Sequence, residues 1–448
     1  MPDNISEDNG VPGNDLPGDG MTPGENQMTP SGPSKEKAGE DQPPIGDEMS
    51  ARQSIPPKRL TLDPDVLARQ SAQREIREAT GAVPGGIAAR GESTPAAPPV
   101  SIMRKRFRKF KSLKRGYISF ILLMVLYVLS FLLPILINSK PLVVHYNGEY
   151  SFPAFASLLP FSKSFYPGSK FGQSGSQATN FHQLKKDLAA SSGDNWVMMP
   201  LYSWDPYESD FQSAEPPPNA PSQLHIFGTD NTGRDVFARM CYGFNVSISF
   251  ALILTFVNFL VGTALGGLMG YYGGKFDLIS QRLIEVWSNI PFLYTVIIIS
   301  SILIPNFWLL IVVLSVFGWI GMSYLMRGEF LREKNKDYVS AAISLGATDS
   351  QIIFKHILPN SLTPLIASLP FSVIGGITTL VGLDYLGFGI PPPTSSWGQM
   401  VQIGMENLEH WWLVVVPLSA MFLTLLLVTF IGEGIREAFD PKVFSRLR

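Results

Sequence analysis

Residues 117–137 read YISFILLMVLYVLSFLLPILI, without a single charge, and the basic run RKRFRKFKSLKR stands directly before them at 104–115. At a rise of 1.5 Å per residue, about twenty apolar residues in a helix cross the roughly 30 Å hydrocarbon layer of a bilayer. Five further segments of this kind follow, at about 244–270, 283–304, 307–326, 363–383 and 411–432. Six such segments predict an all-α polytopic membrane protein with six transmembrane helices.

Charge supports that reading and divides the chain. Charged residues make up 16% of the sequence, against roughly 25% in ordinary soluble domains. The net charge of −2 averages two opposite populations: residues 1–50 carry eleven acidic and two basic residues, and residues 101–115 carry eight basic and no acidic ones. Of the 35 basic and 37 acidic residues, 33 fall within the first 115 positions, so the remainder of the chain has too few charges to cover a soluble surface. Residues 1–100 are rich in Pro, Gly, Ser and acid with no sustained apolar period, which predicts a disordered acidic tail. Within it, residues 63–79 (DPDVLARQSAQREIREA) have the cap and charge pattern of a transient helix or partner-binding segment, although a plain disordered tail accounts for them as well.

The basic run followed at once by a spanning segment reads as a cytoplasmic anchor rather than a nucleic-acid patch. With the amino terminus inside, six spans return the carboxyl terminus inside. The predicted inside loops then hold Lys275, Arg282, Arg327, Arg332, Lys334, Lys336, Lys355, Arg436, Lys442, Arg446 and Arg448, whereas the short outside connections at 305–306 and 384–410 hold no Lys or Arg. That asymmetry satisfies the positive-inside rule; Arg234 and Arg239, outside near the second span, count mildly against it. Trp308, Trp411 and Trp412 are expected as aromatic anchors at outer ends, and Tyr271, Tyr272 and Tyr324 at inner ones. The expected organisation is a tail at 1–100, a basic anchor and first span at 101–138, an extracytoplasmic lobe at 139–243, a core of five further spans at 244–435 and a cytoplasmic end at 436–448. Aromatics and short alternating runs in the long loop suggest a small β-containing lobe.

Several functions are excluded by what is missing. Cys241 is the only cysteine, so no intrachain disulfide, four-cysteine zinc site or CxxC redox pair exists. No apolar run lies in the first thirty residues, so membrane targeting is expected from an internal segment rather than a cleavable signal peptide. Inside the spans the ionisable residues are few, with Glu285 near the inner end of the third, Asp384 just past the fifth and Glu433 at the end of the sixth, whereas proton-driven carriers and ion pumps use charged groups near the midplane. The sequence Gly273-Gly274-Lys275-Phe276 lacks both the first glycine and the Ser or Thr of a phosphate-binding loop. Glycines are frequent instead, with Gly262, Gly266, Gly267 and Gly270 in the second span and Gly375, Gly376 and Gly382 in the fifth; small residues spaced by four let helix backbones approach. Pro134, Pro291, Pro370 and Pro417 interrupt other spans, where kinks serve either packing or gating.

The most informative stretch is residues 336–362, KDYVSAAISLGATDSQIIFKHILPNSL. Asp337 can cap a first short helix ending at Gly346, and Thr348 or Asp349 a second ending before Pro359. Ala341 and Ala342 give the first helix a face suited to close contact with another protein, and Gly346 permits the sharp reversal. Ala341, Ala342 and Gly346, followed by His356-Ile357-Leu358-Pro359, resemble the EAA loop of membrane subunits of ATP-binding-cassette importers. Ser340 stands where the name-giving Glu often occurs, and the His-x-Leu-Pro variant is typical of the dipeptide and oligopeptide permease group. Gly228-Thr229-Asp230 with Gly233-Arg234-Asp235 resembles that group's GTDxxGRD signature. Leu386-Gly387-Phe388-Gly389 with Pro392, Pro393, Trp397 and Gly398 resembles its LGxG…PPxxxWG segment, and Asp440-Pro441 its ending. The segments PLVVHYNGEYSFP and WxxxPLYSWDP further resemble large-loop peptide permeases of the microcin C type.

The resemblance implies a transport subunit, not an enzyme, with no cofactor or metal of its own. It implies a peptide importer of the plasma membrane working by alternating access, whose Ala341, Ala342, Gly346, His356, Leu358 and Pro359 couple to a separate ATPase. Further implied partners are a second permease subunit, an extracytoplasmic solute-binding protein and membrane lipid, with no nucleic acid. Two alternatives stay open: a membrane-anchored receptor or assembly scaffold, which would account for the tail, and a permease for nickel complexes or another small solute.

Overall fold

The computed structural model describes residues 102–156, 166–173, 178–191, 194–210 and 215–440. The acidic tail, its 63–79 segment, and Pro441, Lys442, Arg446 and Arg448 lie outside the described residues.

The basic run forms helix α1 (Ile102–Ser112), and the first span is α2 (Lys114–Ser130). The chain turns by 96° between them. Phe110, on the apolar side of α1, is buried, and it fits because Gly116 and Gly434 offer no side chains where its ring lies. Lys109 reaches Glu437 at 3.4 Å, and Arg106 Nη1 donates to Thr363 Oγ1 at 2.8 Å. The anchor is therefore packed across the bundle end. α2 stops at Ser130, short of the expected Ile137, and Pro134 starts a separate helical turn at Leu133–Leu136. A proline fits there because its missing N–H is unpaired in a first turn anyway.

The lobe carries strands β1 (Val143–Tyr146), β2 (Glu149–Ser151) and β3 (Trp196–Met198), an antiparallel sheet in the order β2-β1-β3. Asn147 and Gly148, both at positive φ, make the tight turn between β1 and β2. Val144 packs beneath the sheet on Phe171, Phe181 and Leu184.

The body comprises α3 (Val236–Tyr272), α4 (Gly274–Ser288), α5 (Phe292–Ile302), α6 (Phe307–Gly318), α7 (Ile320–Lys334), α8 (Asp337–Ser344), α9 (Leu358–Tyr385), α10 (Trp397–Glu406) and α11 (Trp411–Phe439). Val236–Tyr272, Asp349–Tyr385 and Trp411–Phe439 are each long and apolar enough to cross a membrane, and the number rises to six if each bent pair forms one span. The bent pairs are α1 with α2, α4 with α5 at 64° beside Pro291, and α6 with α7 at 44°. Pro370 and Pro417, by contrast, lie within continuous helices.

The second span begins at Val236 rather than 244, because Asp235 caps it and Arg239, the charge that set the expected boundary, is buried against Asp230 inside the helix. α3 packs on α7 through its glycines. A Cβ on Gly266 would lie 2.1 Å from the Ser323 carbonyl oxygen, and one on Gly270 2.6 Å from that of Arg327. Here the small residues serve packing. Two expected interfacial anchors also prove internal: Tyr271 and Trp412 are buried, while Trp308 and Trp411 are exposed.

Candidate functional site

Two groups of residues stand at opposite ends of α3. Near Tyr271, the loop 336–362 folds as two short helical elements. Lys336 occupies the cap position of α8, and Asp337 is the first helical residue, where its charge favours the helix N-terminus rather than capping it. α8 ends at Ser344, and Gly346 at φ +81° reverses the chain, with Gly346 N–H donating to Ile343 O at 2.9 Å and Ala347 N–H to Ala342 O at 3.1 Å. Thr348, not Asp349, then caps: its hydroxyl accepts from Gln351 N–H while Gln351 Oε1 accepts from Thr348 N–H at 3.1 Å. Asp349 accepts from the Tyr271 hydroxyl at 2.6 Å, tying the loop to α3.

The second helix does not end before Pro359. It passes through a widened π turn at Ile352–Ile357 straight into α9, forming one helix from Asp349 to Tyr385. Proline lacks an N–H and its ring crowds the carbonyl four residues back, and a wide turn relieves both conflicts. His356 takes part through its main chain, its carbonyl accepting from Asn360 Nδ2 at 2.7 Å. Leu358 is half-buried and Pro359 exposed.

Ala341 is exposed, but Ala342 is buried, because the face of α8 that carries it and Val339 packs against the chain itself. The surface that projects is instead Ile343, Leu345 and Phe354, which are 55%, 89% and 65% exposed. The i, i+3 and i+4 spacing of Val339, Ala342 and Ile343 does not by itself say which of them faces inward.

At the far end of α3, Gly228 and Gly233 adopt φ +74° and +79°. A Cβ on Gly228 would lie 2.5 Å from Asn219 O and 2.8 Å from Trp412 Nε1, so the close approach requires glycine. Thr229 is buried; its carbonyl accepts from Trp412 Nε1 at 3.2 Å and its hydroxyl from Asn219 N–H at 2.8 Å. Asp230 accepts from Thr232 N–H (2.8 Å), Arg234 N–H (3.0 Å) and Arg234 Nε (2.9 Å), and also pairs with buried Arg239. Burial opposes its charge, but Arg239 and then Arg234 outweigh burial and hold the carboxyl below its usual pKa. Arg234 is thus paired, not merely solvated.

Asp235 has two tasks. Its Oδ1 accepts from Ala238 N–H at 2.7 Å, capping α3, and its Oδ2 accepts from the Tyr202 hydroxyl at 2.6 Å and lies 2.8 Å from His225 Nδ1. His225 Nε2 is 3.2 Å from Asp210 Oδ2, and Trp204 lies against the ring at 4.4 Å. Burial alone would lower the His225 pKa, but hydrogen bonds to Asp235 and Asp210 outweigh it and raise the pKa above the ordinary imidazole value. With a carboxylate at each nitrogen, the imidazolium donates twice.

The 384–398 segment joins the same end. Asp384 accepts from Ile390 N–H at 2.7 Å and from the Ser396 hydroxyl, and Ser396 caps α10. Trp397 is buried, with Nε1 donating to Met240 O at 3.0 Å, and its ring occupies the space beside Gly243. Gly398 is equally enclosed, since a Cβ would lie 2.3 Å from Val381 O. Pro392 and Pro393 are exposed.

Residues 262–445 match the family described as "Binding-protein-dependent transport system inner membrane component". The chain is 39% identical over 340 residues to the inner membrane ABC transporter permease protein YejE of Escherichia coli K12, covering 76% of this chain and 97% of that one. It is 38% identical over 363 residues to the peptidoglycan transport system permease protein YejE of Agrobacterium fabrum, with 76% and 93% covered. Against the dipeptide transport system permease protein DppC of Bacillus subtilis it is 38% identical over 225 residues, with 50% and 70% covered. The chain belongs to this family of ABC-transporter permeases.

In this permease, the stretches matched to the two YejE proteins are longer than residues 225–448, so that likeness reaches into the part of the chain that precedes the motifs. Sequence reasoning missed His225, Asp210 and Tyr202, which lie outside the GTDxxGRD signature. His225 had one available signal, its place three residues before Gly228.

Proposed function

We propose that this permease imports peptides across the plasma membrane, with a separate ATPase docked on the projecting tip of α8 and its following turn. The observation that carries this reading is the wiring of that tip: Ile343, Leu345 and Phe354 are exposed, and Phe354 belongs to the same continuous helix, Asp349–Tyr385, that enters the body. A rigid helix shared by the docking surface and a span transmits a push at one end to the other. Alternating access follows if the ATPase binds the two arrangements of the span with different affinity.

In this reading the α8 end faces the cytoplasm and the lobe faces outside, in keeping with the Lys and Arg distribution. The lobe and the exposed Pro392-Pro393 turn then receive a solute-binding protein, and a second permease completes the pathway. The names of the relatives, which include dipeptide and peptidoglycan transport, favour peptides or peptide-bearing solutes. The finer reading, a microcin C-like peptide, rests on the lobe segments alone.

The test is Leu345→Asp. It is expected to abolish copurification of a P-loop ATPase and uptake of labelled peptide while the protein remains in the membrane. Retained copurification would refute the docking assignment, and wild-type cells that take up no more labelled peptide than cells lacking the chain would refute the substrate.

A further inference from the structure

Among the described residues, grooves along the helical body differ in the kind of side chain that lines them. One, of about 700 Å³ between α3 and α9, is lined by Leu252, Phe256, Leu260, Leu268, Leu362 and similar apolar side chains. Another, of about 590 Å³ between α2, α3 and α11, is again lined mostly by apolar side chains, among them Leu126, Leu133 and Leu423. Both linings suit lipid chains or apolar helix faces.

A third, of about 480 Å³, lies where α3, the α6–α7 bend and α9 meet, and it is different. Thr255, Asn258, Ser368, Ser372 and Thr379 line it among apolar side chains such as Phe259, Phe292 and Met322, and no ionisable side chain does. Gly321 and Gly375 also border it, with open space where a Cβ would stand, unlike the tightly packed Gly262, Gly266 and Gly270. Asn258 lies in the space where a Gly318 side chain would be, and its Oδ1, cut off from solvent, has no hydrogen-bond partner among the described residues. An amide acceptor left unmade at membrane depth is costly, and a turn of the Asn258 side chain toward the cavity would offer it to a ligand or water.

Resting on the peptide-import reading, we propose that this cavity is a stretch of the translocation path, in which Asn258, Thr255, Ser368, Ser372 and Thr379 meet the main-chain amides of a passing peptide. A peptide leaving water must find partners for its N–H and C=O groups, and a side-chain amide and hydroxyls together supply both donors and acceptors. With no fixed charge in the lining, no side-chain charge on the peptide is trapped, and several weak neutral contacts allow entry and release alike. Selection among peptides is thereby left to groups elsewhere in the assembly, and this wall treats acidic, basic and neutral peptides alike.

Because Cys241 is the only cysteine of this chain, a Cys241→Ser background makes an introduced thiol unique within it, and labelling is read on this chain after the subunits are separated. In the complete membrane-embedded transporter, Ser372→Cys and Thr379→Cys are expected to react with a membrane-impermeant methanethiosulfonate, whereas Leu260→Cys and Leu268→Cys in the apolar groove are not. Equal reaction at the two sets of positions would overturn the assignment of the cavity as a path, whatever the substrate. Separately, Ser372→Ala combined with Thr379→Val removes two hydroxyls at little change in size. Uptake of neutral, acidic and basic peptides, normalised to the transporter present in the membrane, is expected to fall together by about tenfold. Unchanged uptake, or a loss confined to one charge class, would overturn the main-chain contact. If the wild-type transporter takes up no peptide at all, the peptide reading fails together with the contact to its main chain, and the thiol reaction still decides whether the cavity is a water-lined path.

Discussion

The two ends of α3 carry motif residues of opposite character. At the lobe end, Asp230, Arg239, Asp235, His225 and Asp210 are buried, and each charge has its partner within the chain. At the α8 end, the caps and the Tyr271–Asp349 hydrogen bond are satisfied internally, but Ile343, Leu345 and Phe354 are left bare. A signature that consumes its own polar groups positions the lobe on the helix it caps. One that leaves an apolar tip uncovered presents the surface that the proposed ATPase would cover.

The difference can be broken most sharply at Asp230. Asp230→Ala leaves Arg239 buried without its carboxylate, which is expected to cost about 3–5 kcal/mol and to lower both the thermal midpoint of the purified transporter and its amount in the membrane. A variant as stable as the parent would show that the lobe-end network is not structural. At the other end the expected outcome inverts. Gly346→Val places a β-branched residue at φ +81° and strains the reversal locally by about 1–2 kcal/mol, with no neighbour within 4 Å to clash. It should separate ATP hydrolysis from uptake while leaving insertion intact, and coupled transport at the parent level would contradict that.

The pH dependence sharpens the comparison further. The folded His225 pKa lies above the ordinary 6.5, so its contribution is fully present below about 6.5 and is lost as pH rises through the higher folded value. Hydrogen-exchange protection of the lobe around Tyr202 and His225 should therefore decline toward alkaline pH, with the α8 loop unaffected, and His225→Gln should flatten the profile. A decline of equal size in the variant would assign the effect to another group. The smallest effect is expected at the surface pair Arg282–Glu285, where Arg282→Ala should change stability by no more than about 0.5 kcal/mol. A larger loss in thermal unfolding would mean that charges outside both ends matter as much as those within them.

The apolar segments, the reversal at Gly346, a cap at Thr348 or Asp349 and the loop's likeness to a known coupling element were legible because each depends on neighbours a few residues away. The expected stop before Pro359 was local reasoning as well, yet a widened turn carries the helix past it. Glycine gave one signal for two situations. Gly266 admits the Ser323 backbone, whereas Gly375 borders open space, and the spacing of neither residue distinguishes them.

By itself, then, the sequence determined that this chain is a multi-span helical membrane protein with a capped, reversible-looking loop at one end of its core, since hydrophobic length and capping act over one or two turns. Only the tertiary structure decided that Ala342 faces inward while Leu345 faces out, that His225 sits between Asp210 and Asp235, and that Asn258, Ser372 and Thr379 share one cavity. Those outcomes depend on how helices rotate about their axes and which distant segments meet, and a rotation of one residue exchanges a buried face for an exposed one.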